Sequence, residues 1–181
     1  EKLSLLKFIK MDNLIKKMQQ KGVLLDTNLF ILLIVGLVGG KHIATHKKLN
    51  SYSEEDFKLL AATLDTCRKF VVTPHVLAET SNLVVHGMHG ELETKAYLSL
   101  QALSQADNFV ETHDSISAIV LNAGFTQYGV SDIGLLEALK GEFVLLTDDF
   151  KLSGYAEGMG YDVLNYKSIQ YVIADYLAKI K

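Results

Sequence analysis

Short apolar runs broken by polar punctuation recur along this chain, and between them lie longer stretches with apolar residues at helical spacing. Residues 3–18 place Leu3, Leu6, Leu14, Ile15 and Met18 on one face, which predicts an amphipathic helix stopped by Gly22. Val23-Leu24-Leu25 follows as a buried strand, stopped by the polar triplet Asp26-Thr27-Asn28. An almost wholly apolar helix is expected from about residue 28 to 38, ending at Gly39-Gly40. Residues 41–52 read as a polar, basic connection. Ser53 caps a helix running to about residue 68, with Glu54, Glu55 and Asp56 in its first turn.

The second half repeats the alternation. Phe70-Val71-Val72 reads as a strand, and Thr73 and Pro74 open a helix that carries Glu79 towards residue 85. Helices are expected over 91–106 and 115–123, with Phe109-Val110-Glu111 as a strand between them. Ser131 is expected to cap a helix from residue 132 to 140, closed by Gly141. Residues 143–146 form the next strand, followed by Thr147-Asp148-Asp149; residues 161–164 are a fifth candidate, and 168–181 a closing helix. Alternating strands and helices predict an α/β fold: a three-layer α/β/α arrangement around a parallel sheet of four to five strands. The strands are continuous apolar runs, as a sheet covered on both faces requires. The division expected is an N-terminal amphipathic helix over 1–21 and a single α/β domain over 22–181.

Composition narrows the picture. At 181 residues, 49% hydrophobic and 22% charged, the chain belongs with soluble globular domains. Pro74 is the only proline, which argues against a turn-rich all-β fold. No run approaches the roughly 18 apolar residues of a membrane helix. The lysines near the N-terminus are spread along it, unlike a secretory signal. The lone Cys67 excludes an internal disulfide. Together these give a cytoplasmic expectation with no membrane partner. A net charge of −3 leaves any nucleic-acid footprint to be local.

The candidate chemistry lies in four acids. In a parallel α/β sheet the functional edge lies beyond the carboxyl ends of the strands. Asp26 and Asp149 follow the first and fourth strands there. Glu79 lies early in the helix leaving the second strand. Asp132 opens a helix that runs back to the start of the fourth. Topology thus gathers Asp26, Glu79, Asp132 and Asp149 on one rim. Each alone also reads as a turn, cap or exposed helix residue. Together, four carboxylates repel one another, and a divalent cation removes the conflict. Mg²⁺ or Mn²⁺ suits oxygen donors and retains waters and phosphate oxygens. The matching chemistry is hydrolysis of a phosphodiester: one cation activates water, and a second, if present, stabilises the leaving oxygen.

Leu25-Asp26-Thr27-Asn28, Thr73-Pro74 to Glu79, Ser131-Asp132-Ile133 and Leu146-Thr147-Asp148-Asp149 make the chain resemble the PIN-domain nucleases. That family includes toxin-type ribonucleases and RNA-processing enzymes. The resemblance spans residues 23 to about 166 and rests on the order of the motifs, none of which is specific alone. It implies a Mg²⁺- or Mn²⁺-dependent endoribonuclease that leaves a 5′-phosphate and a 3′-hydroxyl. The family acids fall on Asp26, Glu79, Asp132 and Asp149; Asp148 can share or replace the fourth. Thr27, Asn28 and Thr147 match polar positions that support the acids. The partners implied are RNA, an antitoxin or another protein, and a second copy of the chain.

Lys41, Lys47 and Lys48, with His42 and His46, form a basic cluster that either contacts substrate phosphates or is a solvated loop. Two competing functions are set against the ribonuclease. A haloacid dehalogenase-like phosphatase also needs an Asp after its first strand, but it requires an acid two residues on, where Asn28 stands. A catalytically inactive PIN-like scaffold would bind a partner without holding a metal.

Overall fold

A computed structural model describes residues 2–140 and 142–171, with the side chains of residues 2–8 left aside. Five short strands form one all-parallel sheet: β1 (Val23–Leu25), β2 (Phe70–Val72), β3 (Phe109–Glu111), β4 (Val144–Thr147) and β5 (Val163–Asn165). Their spatial order is β3-β2-β1-β4-β5. The chain builds outward from β1 to β3, then returns to lay β4 on the other side of β1. That reversal puts the topological switch point between the carboxyl ends of β1 and β4, the usual ligand position in open α/β sheets.

Successive side chains of a strand point to opposite faces. Every residue of β1, β2 and β4 is buried, so helices cover both faces, as the three-layer expectation requires. The most enclosed helix is α2 (Thr27–Val38), in which Leu29 through Gly36 are all buried. A helix apolar all round must be packed all round. It contacts α3 (Glu54–Asp65), α4 (Pro74–Leu83) and α5 (Glu91–Ser104). Gly36 permits the α3 contact, because a Cβ there would overlap the Phe57 ring.

The remaining helices are α1 (Lys2–Lys21), α6 (Ile116–Leu121), α7 (Phe125–Leu139) and α8 (Phe150–Gly158). Helix α1 lies against β4 and β5 and sends Leu14 and Met18 into the core. Helix α7 touches β4, α4, α6 and α8. Residues 166–171 are helical. The remainder of the expected closing helix, 172–181, lies outside the described residues. None of the described helices is long and apolar enough to cross a membrane.

Local signals set most boundaries. Ser53 and Asp56 form a reciprocal capping box on α3. Thr73 caps α4 with Pro74 at its first position. Ser115 caps α6. Three expectations need correction. The polar connection after α2 contains a 3₁₀ turn, Gly40–Thr45. The fifth strand starts two residues later and ends one residue later than expected, at Val163–Asn165.

The third correction concerns α7, which does not start at a Ser131 cap. It starts at Phe125 and breaks at Gly129, whose φ of 78° and ψ of −171° are not helical. Only glycine adopts such a conformation readily. Asp132 still falls in the first turn of a helical segment, the one that resumes after the break. Lys140, at φ 32° and ψ 32°, ends α7 in the left-handed region. Gly141, expected to close this helix, lies outside the described residues.

Candidate functional site

The register of the central strands builds the first half of the rim. Leu25 pairs with Leu146, so the residues after them, Asp26 and Thr147, come side by side. The Asp26 N–H extends the ladder by donating to the Leu146 carbonyl at 3.2 Å. Asp26 then turns into α2 and caps it, its Oδ1 accepting from Leu29 N at 2.9 Å. Its Oδ2 accepts from the Thr147 hydroxyl and from Asp148 N at 3.0 Å. The side chain is only 5% exposed, which makes this a buried carboxyl with three donors.

Asp148 is held by the amide of Asn28, Nδ2 to Oδ1 at 3.3 Å, and by the hydroxyl of Tyr52. Asn28 thus serves as a hydrogen-bond donor rather than a proton shuttle, against the requirement of the dehalogenase-type phosphatase. Tyr52 is a site residue that the sequence did not reveal. It ends the polar connection before α3, and only tertiary folding brings it to Asp148. Burial first, then its bond to Asp148, push the Tyr52 phenol above its ordinary range, so it stays a donor.

The second half of the rim comes from α4, α7 and the start of α8. Glu79 Oε2 accepts from the Thr27 hydroxyl at 2.9 Å, which ties α4 to the residue beside Asp26. Asp149 caps α8, its Oδ1 accepting from Lys151 N at 2.6 Å and Leu152 N at 3.0 Å. Its own N–H donates to Thr147 Oγ1 at 3.0 Å, so Thr147 joins Asp26 to Asp149. Asp132 is half-buried and accepts no hydrogen bond from any described residue. Helices α4 and α7 come close because position 134 is glycine; a Cβ there would lie 2.9 Å from His75 Cδ2. His75 is therefore a packing residue of this junction.

Electrostatics couples the acids. Burial, then the Asp148 carboxylate, raise Asp26 from 3.8 to about 7 against the pull of its hydrogen bonds. Burial, then Asp149 and Glu79, raise Asp132 from 3.8 to about 6. The carboxylates therefore fall into two neighbouring groups, Asp26 with Asp148, and Asp132 with Asp149 and Glu79. Among the described residues, no three His, Cys, Asp or Glu side chains stand in a ready-made metal cage. A preformed cage is not what Mg²⁺ demands, since it commonly takes one or two carboxylates and keeps its waters. The fit lies in donor chemistry: hard oxygens only, with Asp132 lacking a hydrogen-bond donor among the described residues and repelled by two further acids.

The basic cluster behaves differently. His46 is 2% exposed, with Nε2 2.9 Å from the Val84 carbonyl and Nδ1 accepting from Lys48 N at 3.2 Å. Burial lowers its pKa, and it acts as a neutral pin. Its partner Val84 closes α4 at the end remote from the rim. Lys41, Lys47 and Lys48 are exposed, and no hydrogen bond or ion pair joins them to the rim acids among the described residues. Cys67 is buried, with its thiol pushed up to about 11 by burial, which suits packing rather than chemistry.

Comparison with protein-family models, curated proteins and solved structures finds no match to this chain.

Proposed function

We propose that this chain is a divalent-cation-dependent ribonuclease that hydrolyses RNA phosphodiester bonds at the acidic rim. The observation that supports it is the meeting of acids from four separate segments at the β1–β4 crevice, two of them, Asp26 and Asp132, raised partly by other carboxylates. Stability alone gives no reason to concentrate like charges in this way. Glu79, Asp132 and Asp149 would hold Mg²⁺ or Mn²⁺ on one side of the crevice, and Asp26 with Asp148 would do so on the other. A bound cation there supplies Lewis acidity towards water and charge neutralisation at the phosphate.

The chain's own groups have separate tasks. Asp26 anchors the crevice through Leu29, Thr147 and Asp148. Thr147 fixes the spacing between Asp26 and Asp149. Thr27 orients Glu79, and Asn28 with Tyr52 orients Asp148. Asp132 keeps both its oxygens available.

The test compares wild type with Asp26→Asn on a mixed RNA pool, with Mn²⁺ and with chelator, mapping the cut ends. Asparagine also caps helices well, so the fold should survive the change. Cleavage is expected to need the cation, to leave 5′-phosphates and to vanish in the variant. Equal cutting by both proteins would defeat the proposal.

One observation favours a second reading, a partner-binding scaffold without catalysis: both Asp26 oxygens are already engaged by donors within the chain. That reading predicts no heat of Mn²⁺ binding in calorimetry.

A further inference from the structure

The edge of the sheet opposite the acids carries a depression of about 780 Å³. Lys17, Lys21, Arg68, Lys69, Glu142 and Phe143 are among its lining residues. They come from the last turns of α1, the turn between α3 and β2, and the approach to β4. These segments immediately precede β1, β2 and β4, so the depression caps the amino ends of the three central strands.

Its charge is what needs explaining. Four basic side chains face one acid in a chain whose formal net charge is −3. Lys17 pairs with Asp162. Among the described residues, Lys21, Arg68 and Lys69 have no ion-pair or side-chain hydrogen-bond partner. Lys21 has a structural use, since a cation favours the carbonyl end of α1. Arg68 does not need its guanidinium for that purpose: its backbone N–H already donates to the Gln19 carbonyl at 3.0 Å. Lys69 serves the ladder through its backbone carbonyl, which accepts from Val23 N at 3.0 Å. The backbone of this turn does the structural work, while its cations are exposed and line the depression together with Lys21. A local patch of one sign in a chain of opposite net charge attracts a polyanion.

We infer that this depression binds the phosphate backbone of RNA at a second position, away from the acidic rim. The choice of RNA as the polyanion rests on the ribonuclease reading. The separation of the two sites has a consequence. Strands of three or four residues span only about 10–13 Å, so a folded or long RNA can touch both edges, whereas a very short one held at the rim cannot. The acidic rim repels phosphates that lack a cation; the basic edge attracts them with or without one.

The test measures binding of a labelled RNA hairpin in chelator, across a salt series, using the full chain. Wild type is compared with the triple variant Lys21→Glu, Arg68→Glu, Lys69→Glu and with the milder triple glutamine variant, each checked for an unchanged melting curve. Cleavage of a dinucleotide RNA, too short to reach from the rim to the basic edge, is followed with Mn²⁺ in parallel. The hairpin affinity should fall about tenfold or more in both variants, and the log–log salt slope should flatten by about two units, at roughly 0.7–0.9 per lost phosphate contact. Cutting of the short RNA should not change. Unaltered hairpin affinity and slope in both variants would overturn the inference, as would failure of the wild type to bind the hairpin. If the wild type binds with this dependence yet cuts neither RNA, the second site stands and the nuclease reading falls.

Discussion

The two halves of the acidic rim are built on opposite plans. Around β1 and β4, Asp26 accepts three hydrogen bonds and Asp148 accepts two, all from neighbouring segments. Around α4 and α7, Glu79 accepts one from Thr27, and Asp132 accepts none from the described residues. The first half is part of the fold's framework. The second is supported by packing and a glycine break; Glu79 and Asp149 accept from Thr27 and from the first turn of α8, while Asp132 has no donor among the described residues. The difference separates acids that the protein needs in order to fold from acids that it carries at a cost. An acid kept at a cost is the stronger pointer to function.

The largest effect expected from this contrast is on stability. Asp26→Ala removes a helix cap and strands the Thr147 hydroxyl and the Asp148 N–H, a loss of about 2–4 kcal/mol in denaturant unfolding. Asp132→Asn removes no hydrogen bond and relieves repulsion, so unfolding without metal should shift by no more than about 0.5 kcal/mol or move towards greater stability. Similar losses for the two substitutions would erase the distinction between the halves.

Gly129→Ala probes the glycine break. Nothing crowds a Cβ at this position, so the penalty is conformational, about 1–3 kcal/mol. If the break positions Asp132, activity on RNA should fall further than stability explains, while the Asp26 half stays intact by NMR. A variant with wild-type activity would detach the break from the site.

A smaller effect appears in the pH dependence of the metal-free protein. Asp26 and Asp132 have folded pKa values near 7 and 6, above the ordinary 3.8. The folded state therefore binds these protons more tightly than the unfolded state does. With the sign worked through, their contribution to stability falls as pH rises from about 4 to about 7 and is flat beyond. Unfolding midpoints in chelator should show this decline in the wild type, and the double variant Asp26→Asn, Asp132→Asn should lose it. A decline of equal size in the double variant would assign the titration to other groups.

The legible part of the structure was local. Apolar runs located the first three strands, and Thr73-Pro74 and Ser53 announced their helices without reference to anything distant. Topology then followed from alternation, and with it the edge on which the four acids stand. What could not be read depended on tertiary contact or on unusual backbone. Tyr52 lies in an unremarkable polar segment and matters only because folding carries it to Asp148. Gly129 was hidden by Ser131, which offers a stronger local start signal two residues later. His46 resembles its basic neighbours in sequence, yet burial against Val84 makes it a neutral pin. Lys21, Arg68 and Lys69 converge only when the last turn of α1 meets the turn that precedes β2.

The central claim is that the framework acid and the costly acid belong to one cation-binding rim, and calorimetric titration with Mn²⁺ tests it most directly. Wild type should take up the ion with proton release near pH 7, and Asp26→Asn and Asp132→Asn, one from each half, should each weaken uptake by about tenfold or more. Absent uptake by the wild type, or uptake indifferent to both substitutions, would contradict it.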